Sequence, residues 1–118
     1  MPRYMLLLYA DQPDPATQAQ RDAELPVWHE LTQSLREEGL LVSNSPLQGV
    51  ETARTVRVRD GAAERTDGPF ATTKEVLVGY YLLECADIDE AVRQAERMPL
   101  ARYGSVEVRP AGDLGDVC

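Results

Sequence analysis

The sequence predicts an α+β sandwich of the ferredoxin-like kind, in which an antiparallel sheet carries two helices on one face. The length of 118 residues is that of one hydrophobic core, so residues 1–118 are predicted to form a single domain. Two runs, at residues 4–9 and 76–85, are apolar at both alternating sets of positions, which is typical of strands covered on both faces. Helical segments separate the strands in the order βα, β, hairpin, β, α, β, and this order predicts the sandwich.

The first half of the chain begins with the predicted strand at residues 4–9. Asp14 is a predicted N-cap, Pro15 suits the first helical position and Gly39 supplies a C-terminal stop, so the residues between are predicted to be helical. Pro26 either kinks this helix or begins a second one. An apolar stripe at helical spacing is formed by Leu25, Trp28, Leu31 and Leu35. A Ser-Asn-Ser-Pro turn then leads to an irregular second strand at residues 47–50.

The second half begins with a predicted two-stranded ribbon, in which residues 55–59 alternate, Asp60 and Gly61 form a tight turn, and residues 63–66 return. The strand at residues 76–85 follows. Its predicted faces hold Val76, Val78, Tyr80 and Leu82 on one side and Leu77, Tyr81, Leu83 and Cys85 on the other. Asp87 with Glu90 resembles a capping box for a helix that Pro99 ends, and residues 105–109 form the last strand.

The charge and composition exclude several classes of function. Twelve basic against 20 acidic residues give a net charge of −8, and no basic stripe is present, so we expect no direct contact with nucleic acid. The longest apolar runs are shorter than the ~20 residues of a membrane helix, so no membrane partner is expected. The chain enters its first strand without a secretory signal, and Cys85 and Cys118 fit no disulfide or metal pattern. We expect a cytoplasmic protein that uses no cofactor.

The two strongest strands also predict the oligomeric state. Both of their faces are apolar, whereas two helices on one face of the sheet cover only one of them. A lone chain would expose a large apolar patch, which monomeric soluble proteins rarely do. A second copy of the chain is the simplest cover, and we expect a homodimer.

The segment at residues 66–75, TDGPFATTKE, resembles the signature DGPFAETKE of the DGPF branch of the YCII-related family. Further similar stretches are YMLL at residues 4–7, TVR at 55–57, GYYL at 79–82 and GSVEVRP at 104–110, so the resemblance covers nearly the whole chain. Thr72 stands where the signature usually has Glu. The resemblance implies a dimeric α/β barrel, in which two ferredoxin-like units pack sheet to sheet.

The resemblance also implies site residues. In the YCII branch, a His near the first helix and an Asp before a late Pro point to enzymatic activity. His29 is placed like that His, whereas the late pair aligns with Met98 and Pro99, so its acidic member is missing. Asp67, Lys74 and Glu75 remain in the signature segment. DGPF-type domains are also fused to sigma-factor domains, which implies a link with transcription initiation.

Each of these residues has a chemical and a plain interpretation. His29 is the only histidine, and imidazole is the side chain that exchanges protons near neutrality, so it is the natural general acid or base. It lies about 120° from the apolar stripe, at about 100° per residue, which also fits a solvated surface position. Asp67 and Gly68 are typical of a turn, or the loop holds Asp67 or Glu75 over a cleft with Phe70 as an apolar wall. In either case we expect Phe70 to anchor the turn.

Four arginines cluster on the predicted ribbon, at Arg54, Arg57, Arg59 and Arg65. They form either an anion site or a solvated face beside the acidic Asp60 and Glu64.

Two hypotheses for the function follow. In the first, the homodimer binds a small molecule and performs cofactor-free acid–base chemistry, with His29 and Asp67 as the catalytic pair. Phe70, Lys74 and Glu75 would then contact the ligand. In the second, the chain is a non-catalytic module that contacts a protein of the transcription machinery. A cleft holding His29 and a carboxylate favours the first, and an exposed apolar or charged patch favours the second.

Overall fold

The computed structural model describes residues 1–71 and 73–112. Its strands are β1 (Arg3–Asp11), β2 (Leu41–Pro46), β3 (Arg54–Arg59), β4 (Ala62–Asp67), β5 (Glu75–Glu84) and β6 (Ser105–Pro110). Its helices are α1 (Pro15–Asp22), α2 (Leu25–Glu37) and α3 (Ile88–Glu96). Short 3₁₀ turns occupy Val50–Thr52 and Pro99–Arg102. None of the helices described is long and apolar enough to cross a membrane.

The main sheet has four strands in the order β2-β5-β1-β6, and all of its neighbouring strands are antiparallel. With the β3–β4 hairpin set aside, the chain follows a β-α-β-β-α-β path, which is the ferredoxin-like arrangement. The predicted α+β class and antiparallel sheet are therefore confirmed. The hairpin forms a separate two-stranded sheet, and its turn residues Asp60 and Gly61 have positive φ values of 52° and 77°. This backbone is the one that a tight hairpin turn requires.

The first helical stretch is two helices. Pro26 lies in the first turn of α2, where its missing N–H group leaves no intrahelical hydrogen bond unmade. Of the two alternatives for Pro26, the start of a second helix is the one observed. Both predicted N-caps are present, since a side-chain oxygen of Asp14 accepts from the Thr17 N–H at 2.7 Å and that of Asp87 accepts from the Glu90 N–H at 2.9 Å.

The core lies between the helices and one face of the sheet. β1 contributes Tyr4, Leu6, Leu8 and Ala10, all at most 7% exposed. The other buried members are Leu31, Leu35, Tyr81, Leu83, Cys85, Ala91, Ala95, Met98 and Leu100. Cys85 is a free cysteine buried in this core, whereas Cys118 lies outside the described residues.

The opposite face of the main sheet lacks a covering layer within the described chain, and it has an apolar centre on β1 and β5 between polar side chains of the edge strands β2 and β6. Met5, Leu7 and Tyr9 of β1 and Tyr80 and Leu82 of β5 are half-buried there. We call this surface the open face. The molecule is 19 Å thick along its shortest axis, which is about the depth of one helix layer on one sheet.

A β-bulge corrects the predicted faces of β5. Leu8 pairs with Gly79 and Tyr9 pairs with Leu77, so Val78 is an extra residue and the alternation reverses there. Leu77 therefore shares the open face with Tyr9. A Cβ atom on Gly79 would lie 3.0 Å from the Ser45 carbonyl oxygen, so glycine allows β2 to approach at this bulge.

The predicted course of the second strand was wrong. β2 runs through the Ser-Asn-Ser-Pro segment, with Ser43 opposite Leu82 and Ser45 opposite Tyr80. Polar residues are tolerated here because β2 is an edge strand, and Pro46 ends it because proline has no N–H group to donate. Residues 47–49 carry no strand.

Candidate functional site

A cavity of about 740 Å³ lies between α1, α2 and the helix-facing side of the sheet. Its sheet side is mostly apolar and includes Leu8 and Ala10 of β1 and Val76 and Val78 of β5, with the polar Asn44 of β2 beside them. The reversal at the bulge contributes to this wall, because it places Val76 opposite Ala10. The volume is within the roughly 300–1,000 Å³ that small-molecule sites occupy.

An aromatic pair forms the wall between α2 and β5. The rings of Trp28 and Tyr81 are stacked, with centroids 6.1 Å apart and planes 20° from parallel. The hydroxyl groups of Tyr81 and Thr32 lie 2.7 Å apart and are hydrogen-bonded, which holds the Tyr81 ring against the helix. Trp28 and Thr32 are four residues apart and so lie on the same side of α2. The cavity thus has a flat and firmly held apolar surface.

His29 lies on the cavity wall next to Trp28 and is exposed to solvent. The buried face of α2 is formed by Leu31 and Leu35, so the predicted position of His29 off the apolar stripe is confirmed. The only histidine and the only tryptophan of the chain therefore adjoin the same cavity. An imidazole placed there has access both to solvent and to a bound molecule.

Arg21 and Tyr103 form a second part of the wall. The Arg21 Nη1 donates to the Asp11 carbonyl at 2.8 Å, and the guanidinium carbon lies 4.7 Å from the centroid of the Tyr103 ring. The Tyr103 hydroxyl donates to Glu24 Oε2 at 3.0 Å. Burial, followed by this hydrogen bond and the charge of Glu24, raises the pKa of Tyr103 to about 12. Tyr103 is therefore a neutral hydrogen-bond donor at physiological pH.

The charged residues of the wall are mostly cationic. Arg36 donates to the Gln33 side-chain oxygen at 3.0 Å, and Asp22 accepts from the Gln18 amide at 2.7 Å. Among the described residues, Arg21 and Arg36 line the cavity against one carboxylate, that of Asp22. This local balance is opposite in sign to the net charge of −8.

The signature residues predicted to share a site with His29 lie elsewhere. Asp67 ends β4 and pairs with the Arg54 Nε at 3.1 Å in an exposed ion pair. Glu75 begins β5 and accepts from the Ser105 hydroxyl at 3.0 Å, while Lys74 is exposed. Neither these three residues nor Phe70 lines the cavity that holds His29. The catalytic pairing of His29 with Asp67 and the ligand contacts of Phe70, Lys74 and Glu75 stay predictions.

The expectation that Phe70 anchors its turn was wrong, because its side chain is 78% exposed. The turn follows the hairpin, which is separate from the main sheet, so none of the described core residues lies beneath the ring. Gly68 does have the backbone that a side chain would strain, with φ at 93°.

Arg21, Arg36 and Tyr103 were not predicted as cavity residues, and Trp28 and Tyr81 were predicted only as members of a helical apolar stripe and of an apolar strand face. The one local signal for this wall in the sequence was the four-residue spacing of Trp28 and Thr32, which places both side chains on the same side of a helix. Among residues 1–71 and 73–112, no group of three or more His, Cys, Asp or Glu side chains is placed to hold a metal ion.

Comparisons with known proteins agree with this architecture. A 76-residue segment is 43% identical to an uncharacterized protein of Rhizobium meliloti (strain 1021) and covers 63% of this chain. The segment covers 61% of that relative, so the chain spans about three fifths of the relative's length. The YCII-related domain matches residues 3–113, which include the main sheet, the three helices and the cavity beside His29. With almost the whole chain matched, the protein belongs to the YCII-related domain family.

Proposed function

We propose that this protein binds a small molecule that has a flat apolar body and an anionic group, in the cavity beside His29. One observation carries the proposal: the stacked pair of Trp28 and Tyr81 and the cationic Arg21 and Arg36 line the same cavity of about 740 Å³. An apolar surface with a few placed polar groups is typical of small-molecule sites.

The two parts of the wall favour different parts of a ligand. The apolar body would lie against the Trp28 ring, where its burial and stacking are favourable. A carboxylate would be attracted by Arg36 and Arg21, since guanidinium groups pair with carboxylates through charge-assisted hydrogen bonds. The net charge of −8 repels anions at long range, so this recognition depends on close contact with the arginines.

His29 is the proposed proton-transfer group of this site. A histidine changes its charge near neutral pH, so it can donate a proton to a bound molecule or accept one without a cofactor. Asp22 is a carboxylate on the same wall. Asp67, the partner predicted from the signature, would have to leave its ion pair with Arg54.

The proposed assembly is a homodimer in which two open faces pack against each other, as in the dimeric α/β barrel implied by the DGPF resemblance. The half-buried Met5, Leu7, Tyr80 and Leu82 support this proposal, because a second copy would remove them from water. The DGPF segment at residues 67–70 supports assignment to that branch.

A second candidate function is that of a non-catalytic module that contacts a protein of the transcription machinery. It is favoured by apolar side chains that lie outside the cavity and are highly exposed, namely Val56, Val58 and Phe70. Val56 and Val58 are neighbours on one face of the hairpin, and contiguous exposed apolar side chains are typical of contact surfaces. In this case the cavity would bind no anionic ligand.

Thermal shift with benzoate and benzamide tests the binding proposal, since the two molecules share a ring and differ in charge. A ligand that binds only the native state raises its stability by mass action. We expect benzoate to raise the Tm more than benzamide does, and Arg36→Gln to reduce that difference. Arg93→Gln is the control, because Arg93 is an exposed arginine on α3 that does not line the cavity.

The opposite results are equally informative. No rise in Tm with either molecule would contradict the proposed ligand class. Equal loss of the benzoate effect in the two arginine variants would show that overall charge, rather than this cavity, attracts the anion.

A further inference from the structure

The hairpin of β3 and β4 stands apart from the rest of the described chain, and we call it the arm. Its strands pair only with each other in the part of the chain that the structure describes. At its base, the Gly68 N–H donates to the Ala53 carbonyl at 2.8 Å, and the Thr55 hydroxyl donates to the Gly68 carbonyl at 2.8 Å. Every residue of β4 is exposed, and in β3 only Thr55 is not. An isolated two-stranded hairpin is marginally stable in water.

One side of the arm carries its two valines, together with Ala63, Arg65 and the ion pair of Arg54 with Asp67. Val58 lies opposite Ala63, and Val56 lies opposite Arg65, so these side chains share one face of the ribbon. Val56 and Val58 are 62% and 61% exposed, respectively. Covering this face would bury apolar surface and would stabilise the hairpin at the same time.

The charge of the arm differs from that of the remaining chain. The arm holds four of the 12 basic residues and three of the 20 acidic ones, so its net charge is +1. The remaining eight basic and 17 acidic residues give the rest of the chain a net charge of −9. A second copy of the same chain therefore offers the arm a surface of opposite charge.

The arm would enlarge the contact that the open face provides. The arm is a separate two-stranded sheet, so Val56 and Val58 lie outside the four strands of the open face. A stable interface buries roughly 800 Å² on each partner, and the arm would add to the area that the open face contributes.

We infer that the arm of each protomer packs its Val56 and Val58 face onto the second copy of the chain and so extends the interface of the homodimer. This inference rests on the homodimer proposed above. It assigns the exposed valines of the arm to the dimer rather than to an unrelated protein. The arm then gains from its partner a cover that residues 1–71 and 73–112 of its own chain do not provide.

Sedimentation velocity on two double variants tests this role. Val56→Ser with Val58→Ser removes apolar surface from the proposed contact face. Ala62→Ser with Thr66→Ser is the matched control, because these residues lie on the opposite face of the same ribbon. We expect the first pair to raise the Kd of the dimer by roughly tenfold or more and the control to change it by less than about twofold. Far-ultraviolet circular dichroism confirms that each variant is folded.

Two results would overturn the inference in distinguishable ways. If the unmodified protein is a dimer and the valine variant dimerises equally well, the arm is no part of the interface and the homodimer stands. If the unmodified protein is a monomer at micromolar concentration, both the homodimer and the role of the arm are excluded.

Discussion

Gly104 lies immediately before β6, where the backbone runs closely against β1. A Cβ atom at this position would overlap the Tyr9 carbonyl oxygen and lie 3.0 Å from Leu100 Cδ2. Because a backbone oxygen in a paired strand cannot move aside cheaply, we expect Gly104→Ala to destabilise the protein by about 2 kcal/mol. Urea unfolding measures this loss.

The control for Gly104→Ala is Gly112→Ala. A Cβ atom on Gly112 would meet no atom within 4 Å. We expect an unchanged midpoint for this variant, and equal midpoints for both variants would contradict the close approach at Gly104.

Cys85 gives the native state a dependence on alkaline pH. Burial, followed by the charge of Glu90, raises the pKa of the Cys85 thiol from 9.0 to about 11. The unfolded chain then releases the thiol proton at lower pH than the native state does. The stability contributed by the neutral thiol is therefore complete below pH 9 and is lost as the pH rises towards 11.

Urea unfolding at a series of pH values between 8 and 11 checks this dependence on Cys85. We expect the stability of the unmodified protein to fall more steeply over this range than that of Cys85→Ala. If the stability of both proteins falls equally with rising pH, the Cys85 thiol does not contribute to this pH dependence.

At the scale of elements, α3 depends on its N-terminal cap. Asp87 accepts from the Glu90 N–H at 2.9 Å, and Glu90 Oε1 accepts from the Ala86 N–H at 3.1 Å. We expect Asp87→Ala to lower the free energy of unfolding by about 1 kcal/mol, because it leaves a helical N–H group without its partner. Chemical denaturation should show a smaller effect for Asp89→Ala, since Asp89 lies in the first turn but is not the cap residue.

Elements with local signals could be predicted from the sequence. The cap of α3 and the Asp60-Gly61 turn depend on residues within a few positions, and both are observed. β2 was misplaced because its strand character comes from pairing with β5, about 38 residues away, rather than from its own Ser-Asn-Ser-Pro segment. The face of Leu77 was wrong because the bulge is a property of two paired strands.

The candidate site was predicted only in part for the same reason. His29 could be singled out because it is the sole histidine. The wall around it is built by long-range contacts, such as Thr32 with Tyr81, 49 positions apart, and Glu24 with Tyr103, 79 apart. No spacing rule brings such residues together. Asp67 and Phe70 were predicted as site residues because they belong to the signature segment. The structure places Asp67 at the end of the arm and Phe70 after it.

At the scale of the whole molecule, the two faces of the main sheet have different roles. The helix-facing side holds the core and, at one end, the cavity with Trp28 and His29. The open face and the arm are the surfaces proposed to contact a second copy of the chain. Because the sheet separates the open face from the cavity, packing of two open faces would leave the cavity on the helix side uncovered.

The central claim is that the cavity beside His29 binds an apolar anion, and NMR titration with benzoate tests it most directly. Trp28 and His29 each give a single set of ring signals, because the chain has one tryptophan and one histidine. We predict that benzoate shifts the Trp28 indole N–H and the His29 ring signals together and saturably, and that benzamide shifts them less. Signals from both rings that stay unmoved at millimolar benzoate, or shifts confined to the arm and the open face, would contradict the claim.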